Sequence, residues 1–441
     1  LTAIKSKDLQ IFNAARFKKS VSGVGAANVY FTFGRAYAWE DEFDPPLANT
    51  SIDAYYEVWD NMIGGKKVTG NNVRHAIPRN NWTSGAIYNG YDNSIDSNVL
   101  MNGEVPFYVV TDEWNVYKCI SNNYGALSTS KPISISTTSD VQTQDGYIWK
   151  YMYTVTAEEQ LRFVTDDFIP VRTQDINDQS LQWQVQNNAI SGAIHYIKVL
   201  EGGTFYANDI SVIIKGDGQD ANAFAVRDVT SNSISEIVVD NLGINYTYAA
   251  ISFYSTSDGK GAVARAVISP PGGHGSDPLA ELGGSNIIIN MTLKNYEFGK
   301  LPVTNEYRQI ALVDSPLVYN KDTISSNAVV SQTTQIELNG VSSDYSVDEW
   351  VFQGRSLPNY TFKGKIVEWD SANNLLKLAN VTGKPKSELL IGANTTAARF
   401  LSSITYPDLQ PRSGKILYID NILPIERAAD QAEDFKLVLK F

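Results

Sequence analysis

Ser413-Gly-Lys-Ile-Leu-Tyr-Ile-Asp-Asn-Ile-Leu-Pro-Ile-Glu-Arg-Ala-Ala-Asp-Gln-Ala-Glu-Asp-Phe-Lys-Leu-Val-Leu-Lys-Phe441 reads as two β-segments joined by a polar connection. Phe435, Leu437, Leu439 and Phe441 alternate with Lys436, Val438 and Lys440, which gives the second segment one wholly apolar face. A run that keeps this alternation up to a terminal aromatic predicts a C-terminus tied into a sheet, because loose tails rarely preserve such a pattern.

The same period recurs upstream. Asn28-Val-Tyr-Phe-Thr-Phe-Gly34 places Val29, Phe31 and Phe33 on one face, and Phe107 to Ile120 and Gly146 to Tyr153 read as core strands around a Ser/Thr-rich loop from Ser128 to Thr143. Helical signals are few. Lys7 to Phe17 fits a short amphipathic helix, and Asp44-Pro-Pro46 breaks the chain. Ser51 is then an N-cap for Ile52, Tyr55, Tyr56, Trp59, Met62 and Ile63 at helical spacing, with Gly64-Gly65 as the stop.

Composition agrees with a mainly β chain. The 441 residues carry 24 Tyr and 8 Trp, which suit pleated, half-buried surfaces, and the length calls for several domains. The formal net charge of −12 argues against a phosphate-gripping, nucleic-acid-binding protein. Two basic patches, Arg16-Phe-Lys-Lys19 and Arg74-His-Ala-Ile-Pro-Arg79, read as solvated surface or protein contact. The lone Cys119 lies in an alternating strand and reads as a buried thiol. The N-terminal residues lack a signal-peptide core and no run approaches a membrane span, so the expectation is a protein made in a reducing cytoplasm with no membrane partner.

Two regions read as insertions. In the first, Ile197-Lys-Val-Leu-Glu-Gly-Gly-Thr-Phe-Tyr206 matches Ile237-Val-Val-Asp-Asn-Leu-Gly-Ile-Asn-Tyr246, and Gly218 to Ala225 matches Gly259 to Ala266. Each repeat reads strand, Gly-x-x-Tyr turn, strand, Gly-rich hairpin, small-residue strand, and Pro270-Pro-Gly-Gly273 closes the region. In the second, Tyr345 to Gly354, Phe362 to Asp370, Asn374 to Leu378 and Glu388 to Gly392 give four to five short strands, which predict a small closed barrel. The expected division is a β-sandwich core over 1–190, a repeat β-domain over 191–273, core again over 274–331, a barrel over 332–405, and terminal core strands over 406–441.

Chemistry-bearing motifs are sparse. His75, His195 and His274 share no metal-type spacing, and no metal or cofactor is expected. Gly23-Val-Gly-Ala-Ala-Asn28 follows no buried strand and reads as a bend rather than a dinucleotide fingerprint. The acidic pairs Asp112-Glu113, Asp166-Asp167 and Asp348-Glu349 fall at strand ends or turns, and Asp217 and Asp258-Gly259 read as hairpin turns rather than Ca²⁺ loops. No catalytic residue is assigned, which leaves a scaffold reading. The alternative is a tail-associated polysaccharide-binding or depolymerising protein, which those acidic pairs and an aromatic β surface would suit.

Several segments, in order, resemble the baseplate wedge family of T-even-type contractile phage tails. They are Phe31-Thr-Phe-Gly-Arg35 followed by Trp39, Trp59-Asp-Asn-Met62, Ala76-Ile-Pro-Arg-Asn-Asn-Trp82, and Tyr117-Lys-Cys119. Asp145-Gly-Tyr-Ile-Trp149, Tyr307-Arg-Gln-Ile310 and the terminal Ser413 to Phe441 complete the set. The resemblance covers about residues 1–190, 295–320 and 408–441, so the chain is identified as an expanded member in which the repeat region and the barrel are additions. It implies a structural baseplate subunit in the virion, without catalysis, that forms a homodimer and joins other wedge subunits. It also marks Phe33, Gly34, Arg35, Trp39, Trp59, Pro78, Arg79, Trp82, Asp145, Gly146, Trp149, Arg308 and Pro424 as signature positions that hold the fold. Gly34 and Gly146 are expected where φ is positive, and Pro78 where the chain leaves a helix. Arg35 and Arg79 are expected to stack on Trp39 and Trp82 or to pair with carboxylates, and Arg79 with Trp82 are the interface candidates.

Overall fold

The structure, a computed structural model, describes residues 5–23 and 25–441; Val24, at the centre of the expected Gly23–Gly25 bend, lies outside the described residues. The chain is mainly β with a few short helices, and it divides into two compact units. One unit takes residues up to Arg16, Arg74–Ile289 and Lys436–Phe441, and the other takes Phe17–Val73 and Asn290–Phe435. The segments expected to make one core are shared between them.

In the second unit, a five-stranded antiparallel sheet runs in the order Val329–Ser331, Met62–Lys67, Val29–Gly34, Glu306–Asp314, Lys415–Glu426. Its centre is set by the apolar strand first read from sequence, with Val29 opposite Asp314 and Gly34 opposite Gln309. The helix Ile52–Asn61 is capped by Ser51, whose Oγ accepts from the Ala54 amide at 3.1 Å. It buries Val58 and Trp59 on the sheet among Tyr30, Met62, Val313 and Leu409, while Ile52 and Tyr56 stay exposed. The helix ends earlier than expected. Met62, Ile63, Gly64 and Gly65 belong to a strand, where the glycines permit close approach: a Cβ on Gly64 would meet Leu301 at 2.5 Å and one on Gly65 would meet the Phe31 carbonyl at 2.8 Å.

The same unit holds a closed barrel of six strands, more than the four to five read from sequence. It runs Thr334–Asn339, Leu375–Gly383, Asn359–Asp370, Trp350–Ser356, Leu389–Gly392, Ala398–Thr405, and the last strand pairs with the first to close it. Ile336, Val351, Phe362, Ile366, Leu376, Leu378 and Leu390 fill its interior.

In the first unit, the repeats form one six-stranded sheet in the order Ser233–Asn241, Asn222–Asp228, Ser211–Gly216, Ala249–Tyr254, Lys260–Ile268, Ile194–Thr204. The middle strands of the two repeats pair with each other, Ser211 opposite Tyr254 and Gly216 opposite Ala249. The first strand of the first repeat pairs with the third strand of the second, Ala266 opposite Ile197. The two repeat tyrosines do equivalent work. Tyr206 covers Gly203 and Gly259, Tyr246 covers Gly243 and Gly218, and at each of these four glycines a Cβ would come within 2.8 Å of the ring. Gly203 and Gly243 both have φ of 65°, so the Gly-x-x-Tyr turn needs glycine for conformation as well as space.

Also in the first unit, Tyr108–Val110, Asn115–Ser121, Ile148–Thr154 and Val141–Gln142 form a four-stranded sheet, and Cys119 is buried in it. A further sheet orders Ala432–Lys440, Asn286–Lys294, Val73–Pro78 and Phe168–Val171. The terminal segment is thus a strand, as its alternation predicted, but its faces are less unequal than expected. Leu437 is buried, Phe435 and Leu439 are half-buried, and Val438 on the opposite face packs near Ala76, Phe163 and Ile288.

Candidate functional site

Five signature positions converge on the root of one loop. Phe33 is buried at the end of its strand, 4.9 Å from the Tyr307 ring. Gly34 has no positive φ, contrary to expectation; it is required because a Cβ there would lie 2.4 Å from the Asn61 carbonyl oxygen. Arg35 takes the positive φ instead, 64°, and its guanidinium lies 3.6 Å from the Trp39 ring and 4.1 Å from Tyr37, the stacking that the sequence suggested. Trp39 donates from Nε1 to the Ile422 carbonyl at 3.1 Å. Arg308 is buried and binds both carboxylate oxygens of Glu42 at 2.7–2.9 Å, the Ala36 carbonyl at 3.0 Å, and Glu306. These hydrogen bonds hold the Glu42 carboxyl below its usual range. Pro424 lies exposed in the edge strand Lys415–Glu426, where the absence of an amide donor is tolerated. Trp59 is a core residue of the helix.

The remaining signature positions surround the sheet that carries Cys119. Pro78 ends a strand rather than following a helix. Arg79 does not stack on Trp82. Its guanidinium lies 5.1 Å from the Trp114 ring and bonds Asn81 Oδ1 and the Thr165 carbonyl, while Trp82 donates from Nε1 to Ser128 Oγ at 3.1 Å. Both nevertheless line one notch of about 550 Å³, with Asp112, Trp114 and Lys131. Asp145 latches the Ser/Thr-rich loop by accepting from the amides of Thr129 and Ser130 at 2.7 and 2.8 Å and from Thr143 Oγ1 at 2.5 Å. Burial raises its pKa, but these hydrogen bonds outweigh it and the carboxyl ends below its usual range. Gly146 has the expected positive φ, 82°, and Trp149 is fully buried, stacked on Tyr147 at 5.4 Å.

Three of the six carboxylates of the acidic pairs are bonded through their side chains, those of Asp112, Glu113 and Glu349. Asp112 and Glu113 both receive Lys131 at 2.5 Å. Asp167 accepts the Arg79 amide through its carbonyl, and buried Glu349 accepts from the amides of Ser346, Asn394 and Thr395 at 2.8–3.0 Å. Asp217 receives Thr247, and Asp209 receives Ser255 and Thr256, so each end of the central repeat ladder is clamped. These hydrogen bonds bring both carboxyls down to about 2. Among the described residues no group of three or more His, Cys, Asp or Glu is placed to hold a metal ion.

One cluster escaped the sequence reading. His195 and His274, distant in the chain, meet edge to face at 4.9 Å. Lys118 Nζ, wholly buried, donates to Glu281 Oε2 at 2.7 Å and to His274 Nδ1 at 3.0 Å. The bond from lysine makes Nδ1 an acceptor and puts the imidazole proton on Nε2. His195 Nδ1 meets Asp140 Oδ2 at 2.5 Å, and Lys150 lies 3.9 Å from the other Asp140 oxygen. Burial, then the Lys118 charge, hold His274 well below its ordinary 6.5. Tyr91 packs on this lysine and imidazole, and burial followed by the Glu281 charge pushes its hydroxyl up to about 12. The cluster is a desolvated ionic network that is only partly paired, since the buried His274 Nε2 and Asp140 Oδ1 have no hydrogen-bond partner among the described residues. Lysines at inward positions of strands, Lys118 and Lys150, were the available signal.

Comparison with known proteins finds one family and one relative. Residues 4–125 match the family model described as Bacteriophage T4, Gp8. The chain is also similar to the baseplate wedge protein gp8 of Enterobacteria phage T4, 23% identical over 201 residues, which cover 38% of this chain. The chain spans 60% of the length of that relative.

Proposed function

We infer that this chain is a baseplate wedge protein of the contractile-tail phage type, a structural subunit of the virion that acts through protein–protein contacts. The observation that carries this is the match over residues 4–125 to a baseplate wedge family. Within it, Phe33, Gly34 and Pro78 lie on strands, Trp59 is in a helix core, Arg35 stacks on Trp39, and Trp82 is bonded to Ser128. Those are the roles that a scaffold asks of its signature residues. The subunit works without catalysis, and the carboxylates of Glu349 and Asp145 serve a turn and a loop latch.

The same reading makes the chain a homodimer that joins other wedge subunits, with two-fold pairing as the commonest closed association. The notch that holds Arg79, Trp82 and Trp114 is the proposed contact on the first unit, since tryptophan and arginine dominate interface centres. The repeat sheet and the barrel are proposed as additions to the wedge core, self-contained around their own apolar clusters.

A phage in which the gene is silenced tests the role. Infected cells should accumulate tails that lack a completed baseplate, and a tagged chain supplied from a plasmid should restore them and co-purify with them. Complete, infectious tails formed without the chain would contradict the reading.

A further inference from the structure

We propose that the loop from Glu40 to Leu47 is a rigid docking knob for a partner protein that offers an apolar pocket rimmed by lysine and arginine. Phe43 and Leu47 are 93% and 94% exposed, and Leu423, on the edge strand beside the loop's anchor at Ile422, is 55% exposed. Large apolar groups held in water on a fixed backbone are candidates for an interaction surface.

Fixed they are. Glu42, next to Phe43, is clamped bidentately by Arg308, and Trp39 holds the loop's entrance through the Ile422 carbonyl. Asn421 Nδ2 donates to the Pro46 carbonyl at 2.8 Å, and Asn421 Oδ1 accepts from Gln309 at 2.8 Å. The Phe43 amide donates to Asp41 Oδ1 at 2.9 Å, and Pro45 and Pro46 restrict the backbone between the two apolar side chains. A loop pinned on both sides loses little freedom on docking, which is the main economy of a preformed contact.

The surroundings choose the partner. Glu40, Asp41 and Asp44 are exposed on the same loop, so the apolar tip is set among negative charge. A basic rim complements it. An anionic lipid surface is repelled by it, and the same loop of a second copy would bring acid against acid here, which leaves two-fold pairing to other surfaces.

The inference rests on the baseplate reading only for its test material, purified tails. A photo-crosslinking benzoylphenylalanine at position 43 of the full chain, irradiated in assembled tails, should link to another tail protein at a segment that carries lysine or arginine. Phe43→Ala with Leu47→Ala, in competition with wild-type chain, should lower incorporation about tenfold, the scale of losing an aromatic anchor. Glu40→Lys with Asp44→Lys should act in the same direction, and unchanged circular dichroism shows that the exposed substitutions leave the fold intact. Wild-type chain present in tails but linked to itself, to lipid or to nothing overturns the knob, as does full incorporation of the Phe43/Leu47 variant. Absence of the wild-type chain from tails overturns the baseplate reading and the knob together.

Discussion

His274 shows what a single residue does in this molecule. It is packed between Lys118, Glu281, His195 and Tyr91, and burial makes its protonation unfavourable in the folded state. As pH falls below about 6.5, the unfolded chain takes up a proton that folded His274 refuses, so stability falls with a limiting slope of about 1.4 kcal/mol per pH unit. His274→Gln keeps an acceptor for Lys118 and removes the titration. Denaturant unfolding between pH 7 and 5 should show a shallower loss of stability in the variant, and equal slopes would refute the assignment. The clamps at Asp209 and Asp217 act in a lower window. Their folded values near 2 make their stabilisation complete above 3.8 and lost as pH falls towards 2. Local contacts of this scale were legible where the partners are close in sequence, as with Arg35 and Trp39. Arg79 was assigned to the nearby Trp82 because Trp114 comes within reach only through tertiary packing. The two histidines were unreadable as a pair for the same reason. The outer strand Ile194–Thr204 must pair with Lys260–Ile268, Ile194 opposite Ile268, before His195 can reach His274.

At the scale of elements, strand alternation carried most of the information. It located the central strand Val29–Gly34, the repeat strands and the terminal strand, because period two follows from the pleat itself. Glycine was less readable. Gly64-Gly65 looks the same in sequence as a helix stop or as a site of close approach, and the neighbours that decide, Leu301 and Phe31, arrive from other strands. The terminal strand was read correctly as a strand and too simply as one-sided. Phe435 meets the Phe31 ring at 4.8 Å, while Lys436 on the other face donates to the Val164 carbonyl at 3.0 Å. Burial of Phe435, Leu437 and Val438 contributes on the order of 3–6 kcal/mol, set against a net stability of ~5–15 kcal/mol for a domain. Deleting Asp434 to Phe441 should therefore give insoluble or thermally labile protein, measured by soluble yield and melting temperature. Replacing Lys436 and Lys440 by alanine should cost about 1 kcal/mol, the net worth of the lost hydrogen bond. A truncated chain that melts with the wild type would show that the strand contributes nothing.

For the whole molecule, the scaffold reading joins three features: residues 4–125 that match the Gp8 family, polar residues placed in turns and latches, and apolar loop residues exposed on an anchored loop. The proposed function rests on an ordered set of short motifs, the first of which fall within residues 4–125, the span that matches the Gp8 family. The knob at Phe43 was not legible, since the sequence shows only a proline-broken acidic stretch and the anchors Arg308 and Asn421 lie far along the chain. A density map of the intact tail from the phage that encodes this chain tests the central claim most directly. The account predicts pairs of copies related by a two-fold axis within the baseplate, with Phe43 and Leu47 seated in a neighbouring protein. A baseplate map fully accounted for by other chains, with no density for this fold, would contradict it.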